Sequence, residues 1–248
     1  MQRASCVSLH LVRFDAIRTA GMIETKERPG VLFCGVAADT QAAGTEPDSR
    51  QAFVFAVLGL HATAHSAHRL LEDRESLAPW MREAREVWGA ILQPFRHKGE
   101  ANYLDRARPG LLFSRDALAI TPPPEAPFVS ITTSGWNITP GLDMTRVREF
   151  LTGMLAIRSS MTAMPGLHSQ QSFFFPRNPE FDPVSVAIWR SLPAMNEFAY
   201  GPGVHRLQTQ RQQESHLADR TSFTRCVVFR NEGTWYGSNP MDGPVRPG

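Results

Sequence analysis

Alternating apolar and polar positions dominate this chain, and three-to-four spacing takes over in only a few places. In the first half, "CVSLHLVRF" at 6–14, "VLFCGVA" at 31–37, "AFVFAVLGL" at 52–60 and "VWGAILQPF" at 87–95 are rich in apolar and β-branched residues. Each predicts a strand. From Asp15, the positions Ile17, Ala20 and Met22 fall near helical spacing and predict a short helix that "RPG" at 28–30 ends. Residues 38–50 are polar, with Gly and Pro, and read as a loop. Residues 64–86 place Leu70, Leu71, Leu77, Trp80, Met81 and Ala84 at spacings close to three and four, which predicts a helix. Pro79 kinks or restarts it.

The second half repeats this order. Strands are predicted at 128–136, over "HSQQSFFFP" at 168–176, at 183–191 and at 222–231. A helix is predicted from Thr139 and Pro140 to about Met164, with Val147, Phe150, Leu151, Met154 and Ile157 on one face. Ser191 is placed to cap a second helix that carries Leu192, Met195 and Phe198. Between the halves, residues 105–127 include "RARPG" and "TPPPEAP", and three consecutive prolines fit neither a helix nor a central strand. The pattern therefore predicts an α+β chain of two tandem ferredoxin-like β-α-β-β-α-β units, 1–104 and 128–248, joined by a Pro-rich linker at 105–127. Each unit alone exposes one sheet face, and pairing the two sheets buries it as a fused dimeric α/β barrel. A barrel of eight strands can hold one ligand in its interior.

Composition changes this picture little. The chain has 248 residues, 42% of them hydrophobic and 20% charged, as expected for a globular protein. A net charge of +2 without a long basic run gives no reason to invoke nucleic acid. The longest apolar stretch, residues 52–62, is too short to span a bilayer, and the N-terminal segment lacks a long apolar run. The expectation is a cytoplasmic protein without a transmembrane segment. Cys6, Cys34 and Cys226 are odd in number and far apart, so they read as small core residues rather than as a zinc site or a disulfide framework.

Candidate chemistry is sparse. There is no G-x-G-x-x-G, no P-loop and no G-x-S-x-G. In "HATAHSAH" at 61–68, His61 is expected to end a strand, which leaves His65 and His68 on one helical face without a third ligand. The unusual stretch is "FAYGPGVHR" at 198–206. Gly201, Pro202 and Gly203 break a helix, and His205 follows the break. Such a break can tilt a new segment and aim an imidazole inward, where it would suit haem iron if its other nitrogen were hydrogen-bonded. On the residues alone, a surface or helix-capping role is the better reading of His205.

The C-terminal third adds a resemblance. "VSVAIWRSLPAMNEFAYGPGVHR" at 184–206 and "TRCVVFRNEGTWYG" at 224–237 resemble the spheroidene monooxygenase family. The matching features are Ile188 and Trp189; Met195, Phe198 and Ala199; His205; and Gly233, Thr234, Trp235 and Gly237. Arg13 and Phe14 in the first strand, and Trp88, Pro94 and Gly99 in "EVWGAILQPFRHKG", look like further family segments. Where the family has a tryptophan–phenylalanine pair before the last strand, this chain has Leu217 and Ala218 beside His216.

The resemblance implies a haem-dependent oxygenase of carotenoid-biosynthesis type, with haem b held by His205 and with Phe198 and Tyr200 beside it. Arg13 and Arg225 are candidates for a haem propionate or a polar substrate group. A small-molecule or apolar substrate is implied, with electrons from an external donor because the chain has no flavin or iron–sulfur motif. Two alternatives stand beside this: haem chemistry on a nitrogen-containing substrate, by dehydration or N–N bond formation, and a non-catalytic haem- or lipid-binding barrel. Oligomeric state is open.

Overall fold

The computed structural model describes residues 3–19, 29–39, 51–73, 79–100, 113–137, 141–176 and 181–243. Eight strands are present: β1 (Cys6–Thr19), β2 (Val31–Ala38), β3 (Gln51–His61), β4 (Glu86–Gly99), β5 (Phe128–Gly135), β6 (Leu167–Pro176), β7 (Phe181–Trp189) and β8 (Arg220–Gly233). Four α-helices lie among the described residues: α1 (Ala64–Glu72), α2 (Met144–Met161), α3 (Leu192–Tyr200) and α4 (Val204–Ser215). A short 3₁₀ turn restarts at Pro79, and another spans Ala117–Ala119.

All strand pairs are antiparallel, and the sheet closes on itself in the order β1-β3-β2-β6-β7-β5-β8-β4. Each half therefore lays its four strands in the same relative order, fourth-first-third-second. The halves meet through β4–β8, a long ladder, and through β2–β6, where one residue pair, Ala38 and Phe174, is in register.

One expectation fails in the first half. Asp15–Thr19 continue β1 rather than starting a helix, because after an irregularity the strand re-pairs with β3 at Arg18↔Ala52 and Thr19↔Gln51. Ala20 and Met22 lie outside the described residues. The loop expected at 38–50 and the linker expected at 105–127 lie partly outside them as well. Asp143, not Thr139, caps α2: its carboxylate accepts from the N–H groups of Thr145 and Arg146. Thr139 and Pro140 are themselves outside the described residues.

Strand alternation sends every second side chain inward. Val7, Leu9 and Leu11, Val54, Ala56 and Leu58, Trp88, Ala90 and Leu92, Val129 and Ile131, and Val184, Val186 and Ile188 meet there in one apolar cluster. Trp235 closes one end and Phe113 the other, both fully buried. At about 2 kcal/mol per buried Val, Leu, Ile or Phe side chain, this filled interior is the main source of cohesion between the halves. The interior is a packed core, not the ligand chamber expected of the barrel.

The helices cover the outer sheet face. Leu70 of α1 packs on Val12, Phe55 and Val57, and Ala67 and Leu71 pack on Cys6 and Ile91. The three cysteines are buried and form no disulfide with one another, as their apolar surroundings predict.

Candidate functional site

The break at 201–203 has a definite geometry. Ser191 caps the start of α3 by accepting the N–H of Ala194, and Pro193 sits in its first turn. At the other end, Gly201 donates to the Glu197 carbonyl, and a Cβ on Gly201 would fall 2.3 Å from that oxygen. Gly203 holds φ at 155°, which residues with a Cβ rarely adopt. The chain then re-enters a helix, α4, with His205 as its second residue. This helix packs against α2 and α3 and buries none of its side chains fully.

His205 turns back over the break. Its Nδ1 donates to the Ala199 carbonyl at 3.0 Å, one of the carbonyls left without a partner at the end of α3. A carbonyl only accepts, so Nδ1 carries the proton and Nε2 is a bare lone pair, with no hydrogen-bond partner among the described residues. Burial lowers the pKa, and the Ala199 bond opposes that only in part, so the neutral ring is favoured. The ring lies 4.9 Å from that of Phe198, which lies 5.5 Å from Trp189 on the outer face of β7. His205 is thus outside the barrel, between helices and sheet, and its bond to Ala199 caps the end of α3, whereas the inward-aimed reading of the break placed it in the barrel interior.

Packing beneath α2 is interrupted near this point. At its start, Val147, Phe150 and Leu151 join Trp136 and Ala218. At its end, Ile157 and Met161 join Phe128, Trp189, Met195 and Phe198. The two groups share no side chain, and half-buried Met154 belongs to neither. The outward positions of β5 there are small and polar, Ser130 and Thr132, both half-buried. α2 is instead held to α4, with Gly153 so close to Gln208 that a Cβ would fall 2.5 Å from its Oε1. This interruption in the apolar packing faces a polar stretch of β5, on the same helix-covered side of the sheet as His205.

No protein-family profile matches the chain. No curated protein sequence matches it either. Solved structures do. An aldoxime dehydratase superposes with a TM-score of 0.56 at 11% identity, covering 98% of this chain and 89% of the other. An aldoxime dehydratase bound to butyraldoxime gives 0.51 at 12% identity, covering 98% and 88%. The fold is shared with aldoxime dehydratase. The match to a candidate monooxygenase from Fusobacterium nucleatum covers 94% of this chain and 96% of the other at 9% identity, with a TM-score of 0.37.

The other expected site residues divide. Phe198 is brought to His205. Tyr200 is 62% exposed, and its hydroxyl accepts from Arg225 Nη2 at 2.8 Å. Arg225 and Tyr200 therefore form a pair at the edge of the same helix layer. Arg13 is not brought to His205. It sits at the barrel end closed by Trp235, where its Nε donates to Glu86 Oε2 at 3.0 Å and its guanidinium stacks 4.5 Å from the Tyr236 ring centroid.

Of the other histidines, His65 is exposed, and His68 bonds Arg230 and stacks edge-on with Phe229. Among the described residues no group of three His, Cys, Asp or Glu side chains converges as a metal site. Sequence reasoning missed Ser130, Thr132 and Gln208, which flank the interruption beneath α2. Small polar residues inside an apolar strand could have pointed to Ser130 and Thr132; no local signal marks Gln208.

Proposed function

We propose that this chain is a haem enzyme of monooxygenase type that holds haem b through Nε2 of His205 in a slot between α2, α4 and the outer face of β5. One observation carries the reading: His205 is half-buried on Phe198, with Nδ1–H fixed on the Ala199 carbonyl and Nε2 left free. A ligating imidazole needs that tautomer and that second bond. The interrupted packing under α2 provides apolar walls from Phe198, Met154 and Ile157. Arg225 spends one N–H on Tyr200 and keeps others for a haem propionate or a substrate carboxylate. The haem, when bound, would supply oxygen activation with electrons from an external donor. The residues of the chain hold it, exclude water and orient an apolar substrate. We also read the barrel as two fused ferredoxin-like units, 1–104 and 128–248 with a linker at 105–127, supported by the repeated strand order.

A second reading is dehydration of a nitrogen-containing substrate in the same slot, favoured by the superposition on aldoxime dehydratase over 98% of this chain.

Absorption spectra of protein purified with haem precursor, oxidised and reduced, with and without carbon monoxide, test the common element. A Soret band is expected in the wild type and its loss in His205→Ala. An unchanged band in that variant rejects the assignment. Arg225→Ala is expected to weaken haem retention without changing ligation. Oxygen uptake that requires reductant supports the first chemistry, and anaerobic turnover of butyraldoxime without reductant turnover supports the second.

A further inference from the structure

A cleft lies away from the imidazole of His205, where the start of β6, the end of β7 and the C-terminal segment meet. Its volume is about 360 Å³, and Met164, Leu167 and Met241 form apolar walls. His168, 8% exposed, lines it. Its Nδ1 donates to the Pro240 carbonyl at 2.8 Å, so Nε2 is an acceptor without a hydrogen-bond partner among the described residues. Glu125, Asp242 and Arg190 stand exposed around it. None of these three side chains forms an ion pair or hydrogen bond with another described residue.

The arrangement is built by the main chain, not by chance proximity at a surface. Gly166 holds φ at 82°, and its carbonyl accepts the N–H of Arg190 at 2.7 Å. A Cβ on Gly166 would fall 2.7 Å from that of Ala194, and together with the positive φ this makes glycine the residue for the turn; the Arg190 side chain lies at ordinary contact distance from it, 3.7 Å. On the facing side, Asn239 Oδ1 accepts the N–H of Met241 and its carbonyl accepts that of Asp242, which sets both residues over His168. An acceptor nitrogen on the wall, two unspent carboxylates, one unspent guanidinium and apolar sides thus face one small space. Its polar groups favour a cationic donor and leave one anchor for an anion.

We propose that this cleft binds a small zwitterion: a protonated amine directed to His168 Nε2 and the carboxylates, a short apolar chain along Met164, Leu167 and Met241, and a carboxylate on Arg190. Titration calorimetry with 6-aminohexanoate, hexylamine and hexanoate tests it on the whole chain. Saturable binding is expected in the order 6-aminohexanoate, hexylamine, hexanoate. Asp242→Asn should weaken both amines at least tenfold. Arg190→Ala should reduce 6-aminohexanoate to the level of hexylamine and leave hexylamine unchanged. Both substitutions are at exposed side chains and keep the fold.

His168→Gln, checked for folding by circular dichroism, should weaken the amines as well. No saturable binding of any probe to the wild type overturns the proposal, as does hexanoate binding best or equal affinity in Asp242→Asn and Arg190→Ala. Because the cleft shares no residue with the His205 slot, the Soret spectrum of each variant reports separately on the haem reading.

Discussion

Two imidazoles, one half-buried and one fully buried, show how neighbours decide what a histidine can do. His205 has a carbonyl on Nδ1 and nothing on Nε2, which leaves a ligand atom. His61 is fully buried under α1, with Nε2 2.8 Å from Ser8 Oγ and Nδ1 without a hydrogen bond. Gly59 makes room for that pair, since a Cβ there would fall 2.4 Å from Ser8 Oγ. Burial pushes the His61 pKa down from 6.5 to about 4. Above pH 6.5 the ring is neutral in the folded and unfolded chain alike and adds no pH dependence. Below it, the unfolded chain takes up a proton that the folded ring does not until about pH 4, so stability is lost across that window. The loss from this residue amounts to about 3 kcal/mol. Urea unfolding at a series of pH values should show this decline in the wild type and a flatter profile in His61→Gln. An identical slope in both would place the acid sensitivity elsewhere. The sequence could mark His61 as a strand end but not its partner, because Ser8 lies 53 positions away and only the β1–β3 register brings the two together.

Local elements were legible where a local signal set them. Ser191 before Leu192-Pro193 announced α3, and the structure shows the capping bond it makes. Ser191→Ala is expected to cost about 1 kcal/mol by chemical denaturation and, by loosening α3 beneath His205, to broaden or weaken the haem spectrum. The same reasoning misplaced the continuation of β1. Three residues at helical spacing from Ile17 onward carry little energy against strand pairing with β3, which no local window contains. The C-terminal strap was equally hidden. Glu86 accepts from Arg13, Thr234, and the N–H groups of Tyr236 and Gly237, and so ties 234–237 across the barrel end. Burial alone would raise its pKa, but these donors outweigh it and hold the carboxyl below its ordinary range. Its contribution is therefore full above the ordinary carboxylate pKa and lost as pH falls through the lowered one. Glu86→Gln should destabilise the fold by about 2–4 kcal/mol at pH 7, a gap that closes on acidification. A gap independent of pH would mean that Glu86 acts by shape alone.

At the scale of the whole molecule, the doubled strand pattern was readable because period-2 alternation is a property of each segment. What the barrel contains was not. Whether a closed sheet encloses a ligand or its own side chains depends on which face of each strand turns inward and on what closes the ends, and Trp235 and Phe113 supply the ends from distant parts of the chain. The outcome separates two jobs that the sequence merged. The inner face of β5, with Val129 and Ile131, belongs to the common core, and the outer face, with Ser130 and Thr132, is the one we propose to face the haem. Neighbouring residues of one strand should then fail in opposite ways. Ile131→Ala opens a hole in the common core and is expected to cost about 2–5 kcal/mol in unfolding free energy while the folded protein keeps its haem spectrum. On the proposed haem site, Thr132→Trp takes up the ligand space and is expected to abolish haem uptake with far-ultraviolet circular dichroism and unfolding midpoint little changed. If instead Ile131→Ala alters the spectrum and Thr132→Trp does not, the ligand space lies inside the barrel, and the division of labour between the two faces is the reverse of the one argued here.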